Sequence, residues 1–351
     1  MPFTESILPR SSILRDRRMP TTLICTPSPI GLGVMAQEIA RRVKNVDSVI
    51  FVNYPEYKTP LLFSGAKVLA ATTLGRQNEL IGLLSDLSSE QDRKFLFLET
   101  SWGLSKYTPK NRNFYIPMWE QDSWKIEKQF CDNFISITKY GITVFRELQV
   151  SSRYLPFPVA DMEGVKPRLE LKTILHNAGS FGGNFRKGSP EAIKLYQNSG
   201  LSEHGVELII SSIRQPDESL LEIAAKRPQG ITFDSRQKSD WRENYEGKDL
   251  LLFPSRVEGH ALAVLEAQSF GIPSLVSNTA PINEYDTDSR FLLPIQNKTG
   301  ERVSVDLEKG SIVLRDLLKV DWARKSQELI LNQRENYSWS RLGFYFESIL
   351  M

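Results

Sequence analysis

The chain has 351 residues, 40% of them hydrophobic and 25% charged, with a formal net charge of +2. That length allows two domains with large buried cores, and the composition is that of a soluble globular protein. So small a charge gives no case for nucleic acid or acidic membrane, two cysteines make no disulfide framework and suit a reducing, cytoplasmic setting, and no apolar window reaches membrane-spanning length.

Residues 1–20 lack an apolar stretch of signal-peptide length and carry Arg10, Arg15, Arg17 and Arg18. They are expected as a mobile basic arm. Beyond them, short apolar runs alternate with helical patterns, which predicts parallel sheets covered by helices on both faces. A first Rossmann-like domain over 21–157 has strands expected at Thr22–Cys25, Ser48–Val52, Lys94–Leu98 and Asn133–Ile137. Its first strand runs into Thr26–Gly33, ahead of a helix containing Met35, Ile39 and Val43. Glycine lets a backbone come close to a phosphate, so Gly31 and Gly33 are candidates. A dinucleotide fingerprint would want glycine where Ala36 stands, and Asp47 precedes the second strand instead of ending it, so NAD is the weaker reading. Further on, Trp102–Lys128 interleaves aromatic and basic residues, which can stack on sugars or nucleobases. Five bases against three acids leave that stretch only +2, and core packing accounts for at least half of its aromatics.

A linker is expected over 158–170, where prolines, a glycine and mixed charge gather. The second Rossmann-like domain, 171–325, has strands expected at Lys172–Asn177, Val206–Ser211, Gly230–Phe233, Asp249–Phe253 and Pro273–Ser277. Following the first of these, a Gly-rich turn leads to Arg186-Lys187-Gly188 and a helix opened by Ser189 and Pro190, both helix-start residues. A departing diphosphate needs cations and helix N-terminal amides of this kind. A Walker loop is excluded, because glycine would be required where Arg186 stands. After the fourth strand comes a Pro-Ser turn, then a helix from about His260 to Phe270. Glu258 and Glu266 lie eight residues apart, close enough to line one groove. The chain closes with helical patterns over Asp321–Arg334 and Ser338–Leu350, the latter with Trp339, Leu342, Phe346 and Ile349 on one stripe.

Pro254, Ser255, Glu258, Gly259 and Glu266, followed by Ala267, Gly271 and Pro273, resemble the signature of the glycosyl transferases group 1 family, retaining enzymes with the GT-B fold. The resemblance implies an α/β architecture of two facing Rossmann-like domains, with the C-terminal helix (326–351) crossing back to the first. It implies a metal-independent, retaining hexosyltransferase that uses a UDP- or GDP-sugar and no other cofactor. Lys187 matches the lysine that contacts the pyrophosphate; Arg186 takes the arginine's role, although the family's arginine stands several residues earlier. Glu258 would face the sugar, Gly259 and His260 would offer it backbone amides, and Glu266 would hold the ribose. Gly31 and Gly33 would lie against the donor phosphates. Glu99, Trp102, Trp119 and Glu120 are the candidates for the acceptor side, with a carbohydrate acceptor expected and a modified DNA base as the alternative. The first domain holds no histidine, a departure from the many families with a catalytic histidine there, and the resemblance implies a retaining mechanism in which the leaving phosphate itself takes the acceptor's proton. Rival readings are an epimerase or phosphorylase on the same fold, or a sugar-nucleotide-binding protein without catalysis. Oligomeric state is not legible.

Overall fold

A computed structural model describes residues 19–350 apart from 27–30, 54–65, 74–76, 100–102, 121–122, 180–182, 213–217, 227, 237, 239 and 287. The basic arm and Trp102 therefore lie outside the described residues.

Seven parallel strands make the first sheet: β1 (Thr21–Cys25), β2 (Val46–Asn53), β3 (Lys67–Thr73), β4 (Lys94–Leu98), β5 (Asn113–Ile116), β6 (Asn133–Ser136) and β7 (Ser152–Tyr154). Their order is β3-β2-β1-β4-β5-β6-β7. Helices α1 (Leu32–Arg42), α2 (Gln77–Ser88), α3 (Ser123–Glu127) and α4 (Lys139–Glu147) belong to this half. The sheet is buried on both faces, as a parallel sheet must be. Leu23, Val49 and Leu96 join one core cluster and Ile24, Ile50 and Phe97 the other, following the period-2 alternation of strand side chains. Asp47 stands inside β2, where it pairs with buried Arg93 at 2.8 Å.

The second sheet repeats the plan with β8 (Thr173–Gly179), β9 (Glu207–Ser212), β10 (Ile231–Asp234), β11 (Leu250–Phe253), β12 (Ser274–Ser277) and β13 (Leu292–Leu293), in the order β10-β9-β8-β11-β12-β13. Helices α5 (Gly183–Arg186), α6 (Ser189–Ser199), α7 (Glu218–Ala225), α8 (Leu262–Ser269) and α9 (Leu307–Asp316) accompany it, with an antiparallel hairpin β14 (Ile295–Thr299) and β15 (Arg302–Val305). Both sheets reverse winding beside their first strand, between β1 and β4 and between β8 and β11. In such sheets ligands bind in the crevice at that switch point, beyond the carboxyl ends of the strands.

Between the sheets, Val159 donates its N–H to the Tyr337 carbonyl at 2.8 Å and Arg168 donates its own to Ser326 Oγ at 2.9 Å. Two last helices follow, α10 (Trp322–Asn336) and α11 (Trp339–Ile349). Trp339, Phe346 and Leu350 are buried with the first domain's Leu23, Met35 and Phe157. The C-terminal helix thus completes the core of the domain from which it is most distant in sequence. No helix among the described residues is long and apolar enough to cross a membrane.

Candidate donor-binding site

The site forms where the loops after β8 and β11, neighbours in the sheet, turn back on each other. Gly188 makes the turn possible. Its φ is +72°, a left-handed conformation, and an added Cβ would stand 2.1 Å from the Pro254 carbonyl oxygen. Arg256 N–H donates to the Arg186 carbonyl at 2.8 Å, and Ser255 Oγ lies 3.1 Å from the same oxygen. The basic loop and the Pro-Ser turn are therefore one unit. Below it, fully buried His176 reaches the Leu252 carbonyl at 2.9 Å and Ser189 Oγ at 2.8 Å, tying β8, β11 and the start of α6 together.

This docking brings Lys187 Nζ to 2.7 Å from Glu258 Oε1, and Arg186 Nη1 to 3.6 Å from Oε2. Glu258 is 5% exposed, and Ser255 Oγ also donates to it. Burial by itself pushes the Glu258 carboxyl upward, but the charges of Lys187 and then Arg186, with the hydrogen bonds of Lys187 and Ser255, hold it below its ordinary value. It is a carboxylate between two cations. The Lys187 stem runs over Gly179, and its ammonium lies 4.9 Å from the centre of the Phe253 ring. Arg186 is 43% exposed and free to reach outward.

Glu266 lies on α8, 8% exposed, and accepts a 2.6 Å hydrogen bond from the hydroxyl of fully buried Tyr245. Burial raises its pKa to about 7, against the opposing pull of Tyr245 and Lys187. α8 begins at Leu262, two residues later than expected. Ala261 takes the N-cap position with φ +64°, which takes Gly259 and His260 out of the helix and into the turn before it. His260 stacks on Tyr285 with ring centroids 5.8 Å apart, and its Nε2 is buried without a hydrogen-bond partner among the described residues. Burial lowers its pKa to about 4, so the ring is neutral.

From the first domain comes Glu120. An added Cβ on Gly259 would meet its Oε2 at 2.1 Å, so the carboxyl sits directly on the Gly259 backbone. That oxygen is buried and has no hydrogen-bond partner among the described residues. Burial raises the Glu120 pKa to about 7, with Arg186, Glu258 and Lys187 all close enough to act on it. The other first-domain candidates are arranged differently. Trp119 is 7% exposed and packs edge-on to Tyr140 in the core, which removes its ring from the surface. Glu99 is 3% exposed with φ 56°, and its carbonyl accepts from the Tyr115 hydroxyl. Gly31, φ 53°, is the N-cap of α1, and Gly33 is buried in the first turn. Lys187, Arg186, Glu258, Gly259 and Glu120 are thus brought together, with Glu266 and His260 on the same loop and helix. Trp119 is a core residue.

Sequence reasoning did not single out Tyr245, and gave Ser255 only a turn-shaping role. Tyr245 lies 21 residues before Glu266 in an unremarkable Asn-Tyr-Glu-Gly run, and no local pattern announces the contact.

Residues 190–301 match the family model described as Glycosyl transferases group 1, a span that includes the Pro-Ser turn, Glu258 and Glu266. No curated protein matches the chain. Among solved structures, the apo lipopolysaccharide outer core galactosyltransferase WaaB is similar at 14% identity and a TM-score of 0.66, over 94% of this chain and 99% of its own. The chain has the GT-B fold, and the match to group 1 glycosyl transferases lies in its second half. Two further GT-B structures are similar over most of both chains. Sucrose-phosphate synthase from Thermosynechococcus elongatus has 13% identity and a TM-score of 0.69, covering 94% and 98%. Anabaena HepE, in complex with UDP and glucose, has 12% identity and a TM-score of 0.70, covering 95% and 99%. At such identities these likenesses concern the fold.

Proposed function

We propose that this GT-B protein is a retaining, metal-independent hexosyltransferase that moves a sugar from a nucleoside-diphosphate donor to a carbohydrate hydroxyl. The observation that carries the reading is Lys187 at 2.7 Å from Glu258 with Arg186 beside them, at the switch-point crevice. Two cations and one carboxylate leave a net positive charge, waiting in a water-poor site for a diphosphate. Electrostatic stabilisation of a leaving group is strongest in such a place.

In this reading the bond between the anomeric carbon and the diphosphate oxygen breaks as the acceptor oxygen bonds to that carbon from the same face. The acceptor's proton passes to the departing phosphate oxygen. Lys187 and Arg186 take up the negative charge that develops, while Glu258, exchanging Lys187 for the donor, turns to the sugar and its oxocarbenium character. Gly259 and His260 offer backbone amides to sugar oxygens. Glu266, held by Tyr245, accepts from the ribose hydroxyls, and Gly31 and Gly33 admit the phosphates from the other side. Glu120 lies toward the acceptor, with Glu99 and Trp102 assigned to the same side. HepE was solved with UDP and glucose, which makes a uridine donor the first to try and a guanosine donor the second. Buried, free Cys25 and Cys131 suit the reducing cytoplasm.

The test is slow release of nucleoside diphosphate from a panel of UDP- and GDP-sugars. Release by the wild type, lost in both Lys187→Ala and Glu258→Ala, supports the assignment. Undiminished release in both variants would falsify it.

A further inference from the structure

We propose that Glu284, a second-domain residue, is a positioning residue that sets the place of Glu120 in the cleft, acting through the first turn of α4 and the Tyr140–Trp119 ring contact. The inference rests on the reading of this cleft as a transfer site.

The first backbone N–H groups of a helix have no partner within it. At α4, Thr138 Oγ1 accepts from Gly141 N–H at 3.0 Å. The N–H groups of Lys139 and Tyr140 instead donate to the two Glu284 oxygens, at 2.9 and 2.6 Å. Glu284 closes a short 3-10 turn, Ile282–Glu284, in the other domain. A carboxylate at a helix N-terminus is favoured both by the helix dipole and by charge-assisted hydrogen bonds. One domain therefore caps a helix of its neighbour.

Tyr140 carries the contact inward. Its hydroxyl donates to Glu301 Oε2, again in the second domain, at 2.9 Å. Its ring meets Trp119 edge-on with centroids 4.9 Å apart. Trp119 is fixed from beneath, where Trp124 Nε1 donates to its carbonyl at 3.2 Å, and Val257 of the Glu258 turn packs into the same apolar cluster. The next residue is Glu120, seated on Gly259. The path thus leaves the second domain at Glu284 and returns to it at Gly259. Both ends must let go for the cleft to open there, and a shift of the α4 turn moves the acid that faces the reacting centre.

Amide hydrogen exchange on the full chain tests this directly, with wild type compared to Glu284→Ala and Glu284→Gln. Faster exchange is expected both at Lys139 and Tyr140 and across residues 118–120, about tenfold in the alanine variant and less in the glutamine variant, which keeps one acceptor. In parallel, the affinity for UDP or GDP should stay within about twofold, because the donor loops are untouched. Turnover should fall roughly 10- to 100-fold, as misplacing a group near the reacting atoms by an ångström does. Exchange that rises at α4 while 118–120 stays as in the wild type overturns the proposal. So does a loss of nucleotide affinity that keeps step with turnover, since that is general loosening. Should the wild type release nucleoside diphosphate from no sugar nucleotide, the transfer reading fails, and exchange at 118–120 still decides whether the clasp exists.

Discussion

The Pro254 carbonyl oxygen and the Gly188 α-carbon are packed so closely that a side chain on the glycine would place its first carbon 2.1 Å from that oxygen. The obstacle is backbone, part of the turn that carries Glu258, so relief requires the two loops to move apart. Gly188→Ala adds a left-handed φ of +72° to the overlap. It is expected to lower stability by about 2–4 kcal/mol and to abolish nucleotide release, because Lys187 leaves Glu258 as the loops part. Urea unfolding and the release assay check the two halves separately.

Gly259→Ala creates an overlap of the same depth with the opposite consequence. What it meets is the Glu120 carboxyl, the far end of a flexible side chain. Stability is expected to change by less than about 1 kcal/mol while Glu120 swings aside. Transfer should weaken with the fold intact. A large drop in stability would show that Glu120 cannot move.

Lys187→Met leaves Glu258, 5% exposed, with Arg186 as its remaining cation. Breaking a buried pair by removing one partner costs roughly 3 kcal/mol, and removing both is often close to neutral. The double variant Lys187→Met with Glu258→Leu is therefore expected to regain most of the stability lost by the single one, yet to release no nucleotide. A double-mutant cycle by urea unfolding measures the coupling. Additive losses would mean the two groups do not interact.

Stability against pH separates the buried titrating groups. Glu266 keeps its proton to about pH 7 in the fold and loses it near 4.5 when unfolded, so its contribution is complete below 4.5 and fades as pH rises to 7. His176 and His260 behave in reverse. They protonate near 6.5 when unfolded and near 4 in the fold, so their contribution is complete above 6.5 and fades as pH falls to 4. The trends oppose each other between 4.5 and 6.5. Glu266→Gln removes one of them, and stability should then climb with pH over that window more steeply than in the wild type, by about 1.4 kcal/mol per pH unit. Equal slopes would mean that Glu266 is ionised in the fold.

The C-terminal helix offers a test of the core. Trp339, 4% exposed, meets Phe157 and Phe346 with centroids 5.8 and 5.5 Å away. Trp339→Ala is expected to destabilise the first domain by about 3–5 kcal/mol. A calorimetric scan should show that domain's transition moving down, not the second's.

What could be read from the sequence follows from where the signal is local. The nine expected strands all exist, because each is an apolar run bounded by turns. Missed were β3, whose Val68 is 44% exposed, β7, a polar Ser-Arg-Tyr at the sheet edge, the two-residue edge strand β13, and the hairpin β14–β15. A half-solvated edge strand needs no apolar pattern. β5 was hidden because its Asn-Phe-Tyr-Ile lies in an aromatic-rich stretch that resembles a binding surface. The two second-domain loops of the site were legible as motifs. Their contact was not, since it depends on β8 and β11 lying side by side although their partners Ile174 and Leu250 stand 76 positions apart in the chain. Glu120 on Gly259, and Glu284 on α4, need a further step. They exist only once two separately folded sheets have met, and no local pattern encodes that meeting.

The return of α11 to the first domain has a consequence during synthesis. Leu23, Met35 and Phe157 are made early, but the Trp339, Phe346 and Leu350 side chains that cover them emerge only after the entire second domain. Until then a nascent first domain presents a wet apolar seam to its surroundings. Its assembly is finished late, by the tail, and a holdase that recognises exposed aromatic-lined grooves has its opportunity in that interval.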